Sequence, residues 1–140
     1  MPKKSALLFG DYTVNEIRFK DIPKENDVTE FSLHPKFGRQ LIELGNNKYD
    51  YILSVEISPT DDNPAPFELF ISLTGHFAFE NPEDDQVDTN LKEVILKRNT
   101  AAILFPFLRA IASTVTANAN IPALLLPVLN FTDDDPSEIK

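Results

Sequence analysis

Between residues 49 and 57 apolar and polar positions alternate: Tyr49, Tyr51, Leu53, Val55 and Ile57 share one parity, against Asp50, Ile52, Ser54 and Glu56. A period of two belongs to a strand with one buried face. Residues 67–80 repeat the pattern. Phe67, Leu69, Ile71, Leu73, Gly75, Phe77 and Phe79 fall on one side and Glu68, Phe70, Ser72, Thr74, His76, Ala78 and Glu80 on the other. With the Pro-containing loop 59–66 between them, the two segments predict an antiparallel hairpin. Upstream, residues 12–22 read as a strand whose apolar parity shifts, since Tyr12 and Val14 oppose Ile17 and Phe19. The shift predicts a bulge near Asn15 and Glu16. Pro23 ends that strand. Residues 24–30 are polar, and 31–38, broken by Pro35 and Gly38, read as irregular. A short strand over 39–44 is stopped by the turn signal Gly45-Asn46-Asn47.

After an acidic loop at 81–88 the period changes from two to 3.6. Asn90 and Glu93 have capping-box spacing and predict a short helix ending near Arg98. A second helix is predicted from about Thr100, where Leu104, Phe107, Leu108, Ile111, Ala112 and Val115 make an apolar stripe. Pro106 marks its first turn or a kink. The helical pattern fails from Asn118. Residues 121–131 read Ile-Pro-Ala-Leu-Leu-Leu-Pro-Val-Leu-Asn-Phe, with too much proline for a helix and too much apolar surface for an ordinary solvated loop. An acidic tail with Asp133, Asp134 and Asp135 follows. Strands first and helices after predict an α+β fold, with helices on one face of an antiparallel sheet.

The 140 residues fit a single domain over 1–140, with 1–10 and 132–140 expected as flexible ends. The absence of cysteine removes disulfide scaffolds, thiolate metal sites and cysteine nucleophiles. A net charge of −9 disfavours nucleic acid and anionic membrane surfaces, suits a basic partner, and keeps a chain with 11 phenylalanines in solution. Lys3 and Lys4 precede only the short apolar run Ala6-Leu7-Leu8-Phe9, which is too brief for a secretory signal. Residues 100–131 are interrupted by Arg109 and by prolines, so no stable membrane insertion is expected and the chain reads as cytoplasmic.

Candidate chemistry is sparse. His34 lies beside Pro35 and His76 on the more polar side of a strand; neither has metal-ligand spacing to carboxylates. Asp61-Asp62 and Glu83-Asp84-Asp85 lack the spaced ligands and glycine of a calcium loop. No phosphate-cradling loop, nucleophile elbow or zinc-protease motif occurs. No enzyme activity and no cofactor are expected. What stands out is surplus apolar surface. One sheet face and one helix stripe can cover each other, but Ile52, Phe70, Ile103, Phe105 and the run from Leu124 to Phe131 are left over. Such surplus favours an oligomer or an apolar-peptide binder over an enzyme.

Two segments resemble the SecB export chaperones. Ile103-Leu104-Phe105-Pro106-Phe107-Leu108-Arg109 is similar to the family's I-L-F-P-[YF]-x-R helix, and 121–131 to the Pro-Leu-rich loop that closes in P-V-N-F. Residues 14–22 resemble its first strand ending in K-D-[IL], and Gly75-His76-Phe77 a G-x-F late in the sheet. Leu129 is an insertion relative to that pattern. Only nine residues follow Phe131, four of them acidic, so the family's second helix is expected to be short or missing.

The resemblance implies a four-stranded antiparallel sheet with a long helix packed on one face, and a homo-dimer or homo-tetramer without cofactor. It implies a holding chaperone that binds unfolded or precursor polypeptides in apolar grooves and passes them to the SecA ATPase. Matched by motif, Ile22, Leu124, Leu125, Leu126, Val128 and Phe131 would line the client groove. Asp21 and Glu25 would lie on the partner surface, and Phe105, Phe107 and Arg109 at the oligomer interface. Two other readings stay open: a dedicated chaperone or binding module for one partner protein, and a binder of a small apolar ligand.

Overall fold

The structure, a computed structural model, describes residues 6–22, 34–59, 66–80 and 89–119. Four strands and one helix follow in chain order: β1 (Ala6–Asp21), β2 (Lys36–Gly45), β3 (Lys48–Ile57), β4 (Phe67–Glu80) and α1 (Thr89–Asn118). The strands form one antiparallel sheet in the order β1-β4-β3-β2, so the hairpin expected from alternation occupies its centre. The α+β fold with a long helix on one face is as the sequence implies.

The odd-numbered residues of β3 and β4 face α1 and form the core. Leu53, Val55, Ile71, Leu73, Leu104 and Leu108 are wholly buried. Each contributes about 1.5–3 kcal/mol through burial. Gly75 lets the helix in: a Cβ there would stand 2.6 Å from a Phe77 ring carbon and 2.8 Å from both Leu104 methyls. Arg39 crosses the layers. Its Nε donates to the Tyr51 hydroxyl at 2.8 Å and its Nη2 to the Lys97 carbonyl at 3.4 Å, joining β2, β3 and α1.

Three elements differ from expectation. β1 begins at Ala6 rather than at residue 12, so part of the expected flexible end is strand. Its alternation is hidden by a register shift between Phe9 and Asp11, where Gly10 lies. β2 begins at Lys36, because Gly38 stays in the ladder opposite Ser54 despite its lack of a side chain. The two helices are one, with Pro106 inside it. The sequence hides this continuity because the core side of α1 includes Thr100 and Thr116, which look polar. Both are fully buried, and their hydroxyls donate back to the Leu96 and Ala112 carbonyls. The expected bulge is present, as a register shift between Val14 and Glu16. So is the turn, with Gly45, Asn46 and Asn47 all left-handed (φ 89°, 54° and 61°). The Asn47 carbonyl accepts from the Phe79 N–H at 2.8 Å, which fixes the turn against β4.

One membrane expectation also changes. Ile95–Asn118 is long and apolar enough to cross a bilayer by length and composition, with a mean hydropathy of 1.5. The core helix of a soluble protein passes the same test, and one side of this segment lies on the sheet.

Candidate functional site

Helix α1 lies mainly over β3 and β4 and reaches the edge strand β1 only in part. The apolar stripe read from the sequence therefore divides. Leu104, Leu108 and Ala112 enter the core with Leu96, Ala101 and Phe105. Phe107, Ile111 and Val115 sit on the flank toward β1 and are half-buried. Opposite them, β1 presents Leu7, Phe9, Tyr12, Val14, Ile17 and Phe19, each paired with a helix-facing residue of β4. Phe107 bridges the start of the gap, its ring 4.6 Å from Tyr12 and 5.8 Å from Phe9 between centroids. Farther along the gap stays open, and Val14 and Ile17 remain 41% and 44% exposed.

The result is an apolar groove of about 260 Å³ lined by Tyr12, Ile17, Phe107, Ala110, Ile111, Thr114 and Val115. It offers rings and methyl groups with few polar partners, and so suits apolar side chains without dictating their identity. Sequence reading gave Phe107, Ile111 and Val115 to one helix stripe that could cover the sheet, nominated Phe107 for an oligomer interface, and did not nominate Tyr12 or Ile17 as site residues. The signal that finds the latter two is the parity shift of β1.

The far face of the sheet is polar. On it the Thr13 hydroxyl pairs with His76 Nε2, and His76 Nδ1 with the Asp50 carboxylate, each at 2.9 Å. The order hydroxyl–imidazole–carboxylate is that of a hydrolase triad. Here it runs across three strands on a partly exposed sheet face, and none of the three residues lines the groove between β1 and α1. Its evident work is to tie β1, β4 and β3 together. A second, open cavity of about 600 Å³ lies at the Asp21 end of β1, among Arg18, Lys20, Glu56, Ser58, Glu68 and Phe70. There the Arg18 guanidinium stacks 4.7 Å over the Phe70 ring and pairs with Glu16 at 2.6 Å. Among the described residues no cluster of His, Asp or Glu could hold a metal ion.

The nominated residues are distributed unevenly. Ile22 is half-buried just beyond β1, its N–H bonded to the Pro66 carbonyl at 2.9 Å. Asp21 is exposed. Glu25, Leu124, Leu125, Leu126, Val128 and Phe131 lie outside the described residues, as does the expected acidic tail. Phe105, Phe107 and Arg109 do not form one surface. Phe105 is 6% exposed and packs on Phe37 of β2, so its ring belongs to the protomer's own core. Phe107 faces β1. Arg109, two residues on and therefore on the other side of the helix, is half-buried, and its Nε is buried without an acceptor among the described residues.

A family model described as preprotein translocase subunit SecB matches residues 14–133. The chain belongs to the SecB family. An uncharacterized protein of Methanocaldococcus jannaschii is 31% identical over 132 residues, covering 92% of this chain and 82% of that one. The protein-export protein SecB of Bartonella bacilliformis is 27% identical over 121 residues, covering 80% and 73%. Among solved structures, the SecB-like chaperone of Mycobacterium tuberculosis, in complex with a peptide from the HigA1 antitoxin, superposes with a TM-score of 0.69 at 13% identity. That match covers 88% of this chain and 90% of the other. SecB membership and SecB-like fold together support a chaperone role, and SecB chaperones are not enzymes.

Proposed function

We infer that this SecB-family chain is a holding chaperone that keeps polypeptides unfolded by covering their apolar side chains in the groove between β1 and α1. The exposure of Val14 and Ile17 on the helix side of the sheet supports this most directly. Large apolar residues on that side would ordinarily be covered by the protein's own helix. Unfolded chains carry many apolar side chains, so weak contacts at repeated sites in an oligomer add up through effective concentration. Ile22, Leu124, Leu125, Leu126, Val128 and Phe131 are proposed as further client contacts. Asp21 and Glu25 are proposed as part of the surface for a partner such as SecA. Assembly as a homo-dimer or homo-tetramer is proposed, with an acceptor from a second copy for the buried Arg109 Nε, which has none among the described residues. Export of precursors from the cytoplasm is the proposed setting.

A second reading has its own support. The M. tuberculosis SecB-like chaperone is bound to a peptide from one antitoxin, so a dedicated chaperone for a single partner fits this fold as well. One experiment separates the two. The purified protein is mixed with a reduced, unfolded secretory precursor and scored for delayed refolding and for a complex on a sizing column. A holding chaperone delays refolding of several unrelated precursors, and Ile111→Asp weakens that effect. A dedicated chaperone leaves them all unaffected.

A further inference from the structure

We propose that Asn15, an extra residue in β1 held to β4 by its side chain, is the positioning residue that brings both halves of the β1 groove wall to the same side of the sheet. The proposal rests on the groove being the client site, and its test reads geometry and binding separately.

Tyr12 and Ile17 line the groove together, yet they are five residues apart. In an unbroken strand, residues an odd number apart point to opposite faces. With Tyr12 facing α1, Ile17 would point to the far face. The ladder shows how this is avoided. Tyr12 pairs with Gly75 and Val14 with Leu73; the register then slips, and Glu16 pairs with Ser72, Ile17 with Ile71 and Phe19 with Leu69. Asn15 is left without a rung. The apolar row of β1 thus runs Leu7 and Phe9, then Tyr12 and Val14, then Ile17 and Phe19. Its parity changes at each of the two register shifts, while its β4 partners keep one parity throughout.

The two slips are built differently. The first contains Gly10, which brings no side chain to hold it in place. At the second, Asn15 Nδ2 donates to Ser72 Oγ at 3.1 Å and to Thr74 Oγ1 at 2.7 Å, and its Oδ1 accepts from the Thr74 hydroxyl at 3.0 Å. Ser72 pairs across the ladder with Glu16. Thr74 pairs with Thr13, two residues before Asn15. The extra residue therefore grips β4 on both sides of the slip it creates. A slip that migrated toward the carboxy end of β1, past Ile17, would keep most backbone hydrogen bonds but turn Ile17 to the far face and remove half the groove wall. The Asn15 side chain opposes that movement.

The chain has no cysteine, so a pair of introduced cysteines is a clean reporter of facing. Ile17→Cys with Ile111→Cys, treated with a short bis-maleimide, reports whether position 17 looks at α1. Cross-linking is expected to be efficient in the otherwise native chain. It should fall several-fold with Asn15→Ala and with Ser72→Ala/Thr74→Val, which removes the grip from the β4 side without altering β1. Asn15→Asp should retain it, because a carboxylate accepts from both hydroxyls. In parallel, on chains without the cysteines, affinity for a reduced, carboxymethylated polypeptide should fall about fivefold to tenfold in the same two variants and not in Asn15→Asp. Cross-linking undiminished in both weakened variants overturns the proposal. Lost cross-linking with unchanged binding keeps Asn15 in its positioning role and moves the client site elsewhere. If the native chain binds no unfolded polypeptide, the client reading fails and the cross-link alone decides what Asn15 does.

Discussion

At Gly75 the helix and the sheet come closer than any side chain would allow. The nearest atoms belong to Phe77 and Leu104, which are buried and have nowhere to move. Gly75→Ala is therefore expected to destabilise the protein by about 1–3 kcal/mol, as overpacked core positions do; urea unfolding measures it. Arg39 shows the opposite dependence, on a group that must stay. Arg39→Ala removes a guanidinium that serves Tyr51 and the Lys97 carbonyl. It is expected to cost about 2–3 kcal/mol in the same assay. Single residues were unequally legible in the sequence. The parity shift between Val14 and Ile17 announced the bulge at Asn15, because two apolar side chains on each side, Tyr12 and Val14 before it and Ile17 and Phe19 after it, show the change of phase. The slip at Gly10 was hidden, since only Leu7 and Phe9 precede it and Leu8 between them is apolar too. Thr100 and Thr116 read as polar because their hydroxyls find partners inside the helix, which no pattern of residue types displays.

At the scale of elements, α1 is continuous through Pro106. Proline removes one N–H, so the carbonyl of Ala102, four residues back, loses its usual helical partner. Ala102 and Pro106 are both on the exposed side, where water can take that bond. The continuous helix is thus permitted, and Pro106→Ala is expected to raise stability by about 1–2 kcal/mol, seen as a higher midpoint in thermal unfolding with more helical circular dichroism. Strands β3 and β4 were fully legible because both are central and half their residues are core, which enforces strict alternation. β2 was read four residues short, three at its start and one at its end. It is an edge strand with a glycine near its start and Glu43 on the helix-facing row, so burial imposes less pattern on it. The helix stripe was legible as a stripe, but not its division into a core side and a groove side. That division depends on where the helix lies across the sheet, a tertiary fact without a local signature.

For the molecule as a whole, the groove and the core must be separable by mutation. Ile17→Asp places a charge where the native side chain is already 44% exposed, so folding should change by less than about 1 kcal/mol. Retention of an unfolded precursor should drop at least about tenfold, since a carboxylate cannot be desolvated against Phe107 and Ile111. Equal losses of stability and of retention, compared by thermal melting and by delayed refolding, would place Ile17 in the core and remove it from the groove. Family membership was legible from short motifs in 103–131, although most of the groove residues nominated by them lie beyond the described structure. The groove that is described draws on β1 instead.

The two slips in β1 have one more consequence. If the proposed client role holds, the protein carries a risk of its own, because the rim of its sheet is a row of backbone groups on which another extended strand could grow. β1 is such a rim, 16 residues long. Its slips cut the ladder into regular stretches of no more than six rungs, and each slip adds local twist. A long flat strand would serve as a seed for fibrillar stacking; an interrupted, twisted one is a poor template. The irregularity that faces Tyr12 and Ile17 toward the helix also makes the edge of the sheet a poor seed for the chain's own aggregation.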